Sequence, residues 1–379
     1  MGLAFGVARL LVAVGLFLLS VLTLVPVPVA ALWKPAVLAT EWGHALAALS
    51  VLLLTTVWIE SRLAPALGFA AAAAVLFMTP TFRAMPLNET LPARWDEAFG
   101  PGEGRTRSVP FEPRDLFLPV EQGRPPTTHV FADRADGLSL DLYPGEGNGP
   151  RPLVVAIHGG SWQTGDRTQL AEWWSWIATQ GWTVAAIDHR KAPGDSFPAQ
   201  KVDVNAAIDW LKAHAVELEI DSKRIVLIGR SSGGHLALTS AYANEDPAIV
   251  GVVAWYAPTD LVWSWENPAN PLVIRSQSLL FDLMDAAPDE KEALYRQGSP
   301  IQQARSGSPP TLLLHGGRDE LVWPEQSRRL SERLRTVGVP HLVVDLPWAT
   351  HGCDANLSGP SGQIGRWAIE RFLARAASR

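Results

Sequence analysis

The chain has 379 residues, 47% of them hydrophobic and only 18% charged, with a formal net charge of −6. That balance excludes the basic footprint of a nucleic-acid partner. The single cysteine, Cys353, excludes an intrachain disulfide framework and a thiolate zinc cage. The length suits either two or three domains or one large α/β domain with an appendage.

Three apolar stretches crowd the start of the chain, at residues 3–25, 36–59 and 63–79. Each has about the 17 to 25 residues that a helix needs to cross a bilayer core. We read residues 1–80 as a transmembrane region of three spans. The first stretch, with Arg9 and the small residues near Ala30, also has features of a signal peptide, but it is longer than a signal core and two more apolar runs follow it. Glu41 and His44 are expected at the membrane interface beside Trp42. Arg9 and Arg62 fall on one side of the membrane and Lys34, Arg83 and Arg94 on the other, nearly a tie under the positive-inside rule. A cytoplasmic Arg9 with an odd number of spans gives a slight lean to an extracytoplasmic large domain. From 81 to 127 the composition turns to Pro, Gly, Arg and Glu, which reads as a linker or wrapping segment. Removal of residues 1–80 is therefore expected to release an active soluble domain.

The rest, residues 128–379, starts with a hairpin around Asp136-Gly137, a turn dipeptide. Short continuous apolar runs follow at 153–157, 183–187, 225–228, 250–255, 311–314 and 342–346. Such strands are buried on both faces, as in a parallel sheet covered by helices. Helical stretches separate most of them, at about 167–180, 199–216, 234–243, 324–337 and 361–376. The alternation predicts a mostly parallel, doubly wound α/β sheet with its ligand site at the carboxyl ends of the strands. Residues 261–300 interrupt the pattern with Trp263, Trp265 and a run of leucines, either a cap over the site or surface helix packed on the core.

Chemistry concentrates in four of the loops. Gly229-Arg230-Ser231-Ser232-Gly233 lies between an aliphatic strand and a helix, which is the setting of a nucleophile elbow with Ser231 at its tip. His158-Gly159-Gly160-Ser161-Trp162 follows an earlier strand. Its Gly160 and Ser161 N–H groups, with that of Ser232, are the candidate donors to a developing oxyanion. A serine needs an imidazole to take its proton and a carboxylate to orient that imidazole. His315-Gly316-Gly317-Arg318-Asp319 supplies the acid and His351-Gly352 the base, in the chain order Ser231, Asp319, His351.

Other candidates fit less well. Asp260 lies in Pro258-Thr259-Asp260, as easily a turn or helix cap, and Glu320 beside Asp319 is expected to be solvated. His158 reads as a brace for its own loop and His315 as a structural residue. Helix geometry turns His235 away from Ser231, His189 breaks the chain order, and Cys353 lacks an elbow. No H-E-x-x-H or G-x-x-x-x-G-K-[ST] pattern occurs, so neither a metal nor a nucleotide cofactor is expected.

Together these four motifs resemble the α/β-hydrolase superfamily over residues 128–376, in its esterase branch of hormone-sensitive-lipase-like, feruloyl and acetyl-xylan esterase-like and kynurenine formamidase-like proteins. The resemblance implies an α/β-hydrolase fold, a serine hydrolase mechanism and a carboxylic ester as substrate. Two departures stand out. Ser161 replaces the third glycine of the hormone-sensitive-lipase pattern, and His189-Arg190 stands where the other relatives often carry Tyr-Arg. The expected function is a multi-pass, membrane-anchored serine carboxylic ester hydrolase acting through an acyl-enzyme on a small or lipid-like ester, with Trp162 and the tryptophans of 261–300 lining an apolar pocket. The alternatives are an amidase, formamidase or acyltransferase on the same residues and, from another class, a membrane scaffold without turnover.

Overall fold

A computed structural model describes residues 2–56, 65–101, 107–132 and 137–378. Ile59, Arg62 and Leu63, at the edges of the second and third apolar stretches, and Asp136 of the hairpin turn lie outside the described residues. Eight strands form one sheet in the order β1-β2-β4-β3-β5-β6-β7-β8. β1 (Thr127–Ala132) and β2 (Leu138–Tyr143) make the leading hairpin, and β2 pairs antiparallel with β4 (Thr183–Ile187). β3 (Arg151–Ile157), β4, β5 (Ile220–Arg230), β6 (Ile249–Trp255), β7 (Thr311–Gly316) and β8 (His341–Leu346) are mutually parallel.

Side chains alternate across a strand, so one continuous apolar run serves two cores. Val154, Ala156, Val226 and Ile228 enter one core with α7 (Ala171–Thr179) and α15 (Pro360–Ala377). Leu153, Val155, Ile157, Ile225 and Leu227 enter the other with α8 (Ala199–Ala213), α9 (Ser232–Ala243) and α14 (Glu325–Thr336). This is the α/β-hydrolase fold. Between β6 and β7 the chain inserts α10 (Leu261–Glu266), α11 (Ser276–Met284), α12 (Glu292–Gln297) and α13 (Pro300–Gln303). Leu280, Leu283, Met284 and Tyr295 of this insertion join the second core.

Before the sheet come α1 (Gly2–Val21), α2 (Trp33–Glu41), α3 (Gly43–Thr55) and α4 (Pro65–Phe77), followed by α5 (Thr79–Ala84) and α6 (Leu87–Phe99). By length and apolar composition 4–21 and the helical stretch 65–99 are able to cross a membrane, and the pair 30–41 and 43–55, bent by 81° between its halves, makes a third if the bent pair is one broken span. The bend sends α2 onto the hydrolase domain. Glu41 is fully buried against that domain, accepting from the Ser361 hydroxyl at 2.8 Å and the Ser361 N–H at 3.1 Å. His44 packs edge-on against Phe117 at 5.2 Å.

Within 81–127, α6 contributes Leu91, Trp95 and Phe99 to the first core, Trp95 meeting Trp367 and Phe99 meeting Phe372 edge to face. These three residues recur every fourth position and so share a helix face. That periodicity is hidden in the sequence by the surrounding prolines and charges.

Candidate active site

The parallel strands deliver the four loops to one edge. Ser231 follows β5 with φ 52° and ψ −125°, a sparsely populated conformation for a residue with a side chain. Its N–H donates to the Trp255 carbonyl at 2.9 Å, which ties the turn to β6. Close backbone approach calls for glycine at Gly233 and Gly160. A Cβ on Gly233 would lie 2.2 Å from the Ile157 carbonyl oxygen, where α9 crosses the end of β3, and one on Gly160 would lie 2.1 Å from the Thr164 carbonyl oxygen.

The structure brings Ser231, His351 and Asp319 together. Ser231 Oγ lies 3.0 Å from His351 Nε2, and His351 Nδ1 lies 2.7 Å from Asp319 Oδ2. An ionised carboxylate only accepts, so the proton sits on Nδ1 and leaves Nε2 to accept from the serine hydroxyl. Asp319 Oδ1 accepts the N–H groups of Leu321 and Val322, both at 2.9 Å. Burial pushes the Asp319 carboxyl up, but the electrostatic pull and hydrogen bonds of the neighbouring His351 and His315 rings outweigh burial and bring it down to about 2.

Gly160, Ser161 and Trp162 all have positive φ, at 133°, 55° and 61°. Among the described residues no acceptor takes the N–H of Gly160, Ser161 or Ser232. Trp162 Nε1 donates to His235 Nδ1 at 3.1 Å, and His235 Nε2 donates to the Gly298 carbonyl at 2.6 Å. Gln163 donates to Asp282 at 2.8 Å. The glycine loop is thereby fixed to α9 and to the inserted helices. His158 bonds Gly159 of its own loop and stacks on His189 at 4.3 Å.

The cleft above Ser231 is open to solvent. Ser161, Trp162, Ser232 and His351 line it near the serine, Ile274, Leu279 and Leu280 form an apolar wall from the insertion, and Trp323 faces it from the acid side. The tryptophans of the insertion are elsewhere. Trp263 lies under the Arg329 guanidinium and Trp265 packs on Tyr295, so neither lines the cleft.

The remaining candidates have other partners. Asp260 caps α10 through the Trp263 N–H at 3.0 Å and pairs with Arg329 at 2.8 Å. His315 is held between Ser327 and the Val322 carbonyl, with its Nε2 also 3.5 Å from Asp319 Oδ2. Cys353 is fully buried, and burial pushes its thiol well above the usual range. Glu320, expected in solvent, is buried and accepts the Val27 N–H at 2.7 Å.

A second polar cluster has little signal in the sequence. Arg230, next to the serine, donates to Asp354 Oδ1 at 3.1 Å and to the Tyr256 hydroxyl at 2.9 Å, and Tyr256 donates to the same carboxylate. The Tyr256 ring packs tilted at 52° against His351, centroid to centroid 4.3 Å. The cluster joins the serine turn to the histidine loop from behind. Among the described residues no group of three metal-ligating side chains occurs.

This architecture defines an α/β-hydrolase. The family model BD-FAE matches residues 140–334, and the chain belongs to that family. It is 32% identical over 242 residues to esterase LipC of Mycobacterium tuberculosis, covering 59% of this chain and 58% of LipC. Esterase LipQ of the same organism is 31% identical over 242 residues, covering 62% of this chain and 56% of LipQ. The chain thus spans about half the length of the curated relatives it matches. Among solved structures, a truncated carbohydrate esterase from gut microbiota superposes with a TM-score of 0.56 at 20% identity, covering 67% of this chain and 99% of its own, which speaks to the fold alone.

Proposed function

We propose that this protein is a membrane-anchored serine carboxylic ester hydrolase working through an acyl-enzyme. The observation that carries the reading is the unbroken hydrogen-bonded line from Ser231 through His351 to Asp319, at 3.0 and 2.7 Å, at the base of a partly apolar cleft. His351 Nε2 takes the hydroxyl proton as Ser231 Oγ bonds to the ester carbonyl carbon. The negative oxygen is received by the N–H groups of Gly160, Ser161 and Ser232, and His351 then returns the proton to the departing alcohol. Water, activated by the same imidazole, repeats the sequence and frees the acid. Asp319 stays ionised and holds His351 in the productive tautomer. The apolar wall from 261–303 suits an acyl or alcohol group with hydrocarbon character.

Anchoring rests on α1 and the 65–99 helical stretch, and on Leu11, Leu18, Leu52 and Val75, each more than 60% exposed. A bilayer covers such side chains at no cost where water does not.

In full-length protein, Ser231→Ala is expected to abolish both hydrolysis of a short-chain aryl ester and labelling by a phosphonate probe, and Asp319→Asn to lower kcat by about 10³- to 10⁴-fold. The enzyme should sediment with membranes after an alkaline wash. Undiminished turnover by Ser231→Ala would overturn the assignment.

A further inference from the structure

We propose that residues 22–33, the stretch leaving the first apolar helix, are a working part of the active site, and that Trp33 is a positioning residue for His351. The inference rests on the serine hydrolase reading above.

The stretch meets the site at three points. At the acid loop, Arg318 donates to the carbonyls of Leu22 at 3.0 Å, Thr23 at 2.6 Å and also Val25, while Glu320 accepts from the Val27 N–H at 2.7 Å. Asp319 lies between these two residues, so both of its chain neighbours are bound to the same segment. At the cleft wall, the Ala30 N–H donates to the Leu272 carbonyl at 2.9 Å, two residues before Ile274 of the lining. At the base, Trp33 Nε1 donates to the His351 backbone carbonyl at 2.7 Å, with the indole 6.2 Å from the imidazole.

The last contact acts on the reacting group at one remove. An imidazole is aimed by the place of its Cα and by the direction of its ring. Asp319 sets the second through Nδ1, and Trp33 holds the first through the carbonyl of the same residue. His351 stands in a loop between β8 and α15, so without the indole N–H its backbone gains freedom that Asp319 does not remove. Proton transfer from Ser231 is sensitive to that freedom, because reacting groups misplaced by about 1 Å lose up to about a hundredfold in rate. Arg318 and Glu320 place no atom on the substrate. Their chemistry, a guanidinium on helix-terminal carbonyls and a carboxylate on a backbone N–H, fixes the loop that carries the acid. Residues 1–80 are on this view not a separable anchor, and a fragment lacking them loses contacts to both the acid and the base loop.

The test uses full-length protein in detergent and a soluble aryl ester. Trp33→Phe keeps a ring but removes the donor. The expected result is a fall in kcat of about tenfold with KM unchanged, and a parallel slowing of phosphonate labelling, which reports the Ser231–His351 pair without deacylation. Leu38→Ala, on the exposed side of the same helix α2, serves as control and is expected to match wild type. Glu320→Gln weakens the acceptor at the other end of the stretch and should lower kcat in the same direction, which keeps the idea testable if Trp33→Phe does not accumulate. A folded Trp33→Phe with wild-type kcat and labelling rate would overturn the proposal, as would a change confined to KM. Either result leaves the hydrolase reading standing, whereas activity in Ser231→Ala would remove that reading instead.

Discussion

Ser231, Asp319 and His351 could be read from the chain because each sits in a short motif at the end of an apolar strand, and parallel strands bring such ends to one edge. Arg230, Tyr256 and Asp354 form an equally close-knit group that the sequence does not announce. Tyr256 directly follows β6 and Asp354 lies 98 residues further on, and only the sheet order makes them neighbours of Arg230. The Asp354 side chain is almost fully buried and the Arg230 side chain mostly so. Removing one member of such a pair leaves the other charge buried without its partner, at about 3–5 kcal/mol. Asp354→Ala should lower the unfolding free energy by that order in a denaturant titration. Asp354→Asn, which retains an acceptor, should lose less. The same logic accounts for Glu320. An acid next to Asp319 looks solvated until the Val27 N–H, 293 residues away in sequence, is placed against it.

Among the elements, the strands and the helices α7, α8, α9, α14 and α15 follow from apolar runs and spacing, since their packing partners are other regular elements. α6 does not. It has Pro92 inside it and charged residues interleaved with its apolar ones, yet Trp95 is almost wholly buried among Phe99, Trp367 and neighbouring residues of the first core. Its three buried side chains, Leu91, Trp95 and Phe99, suffice because the sheet face and α15 are already there to receive them. Trp95→Ala should cost about 3–5 kcal/mol, read as a lowered thermal midpoint, although the residue belongs to a stretch that composition marks as linker. The insertion shows the opposite case. Its tryptophans looked like pocket residues, but Leu279, Leu280 and Ile274 line the cleft, because helix orientation rather than side-chain size decides which face looks inward.

Across the molecule, His158, His189 and His235 are all buried, and burial lowers each of them, His158 to about 3 and His235 to about 4, with the neighbouring His189 also acting on His158. Their folded-state values lie below the ordinary imidazole value of 6.5, so as pH falls the unfolded chain takes up protons that the native state refuses. The stabilisation associated with the neutral rings is complete above pH 6.5 and declines toward pH 4 and below. The thermal midpoint should therefore drop from pH 7 to pH 4, and His235→Gln should flatten that drop. An unchanged slope in the variant would assign the acid sensitivity elsewhere.

The 81° turn between α2 and α3 also sets how far the enzyme reaches. A flexible tether as long as residues 81–127 would let a domain wander by about 40 Å. Here the turn lays α2 against the hydrolase domain, and α6 is built into its core. In the proposed membrane setting the serine keeps a fixed standoff from the bilayer, so the enzyme does not sweep a volume. It samples only what diffuses past at one height, and the esters it meets are selected by how far they protrude before the cleft tests their shape.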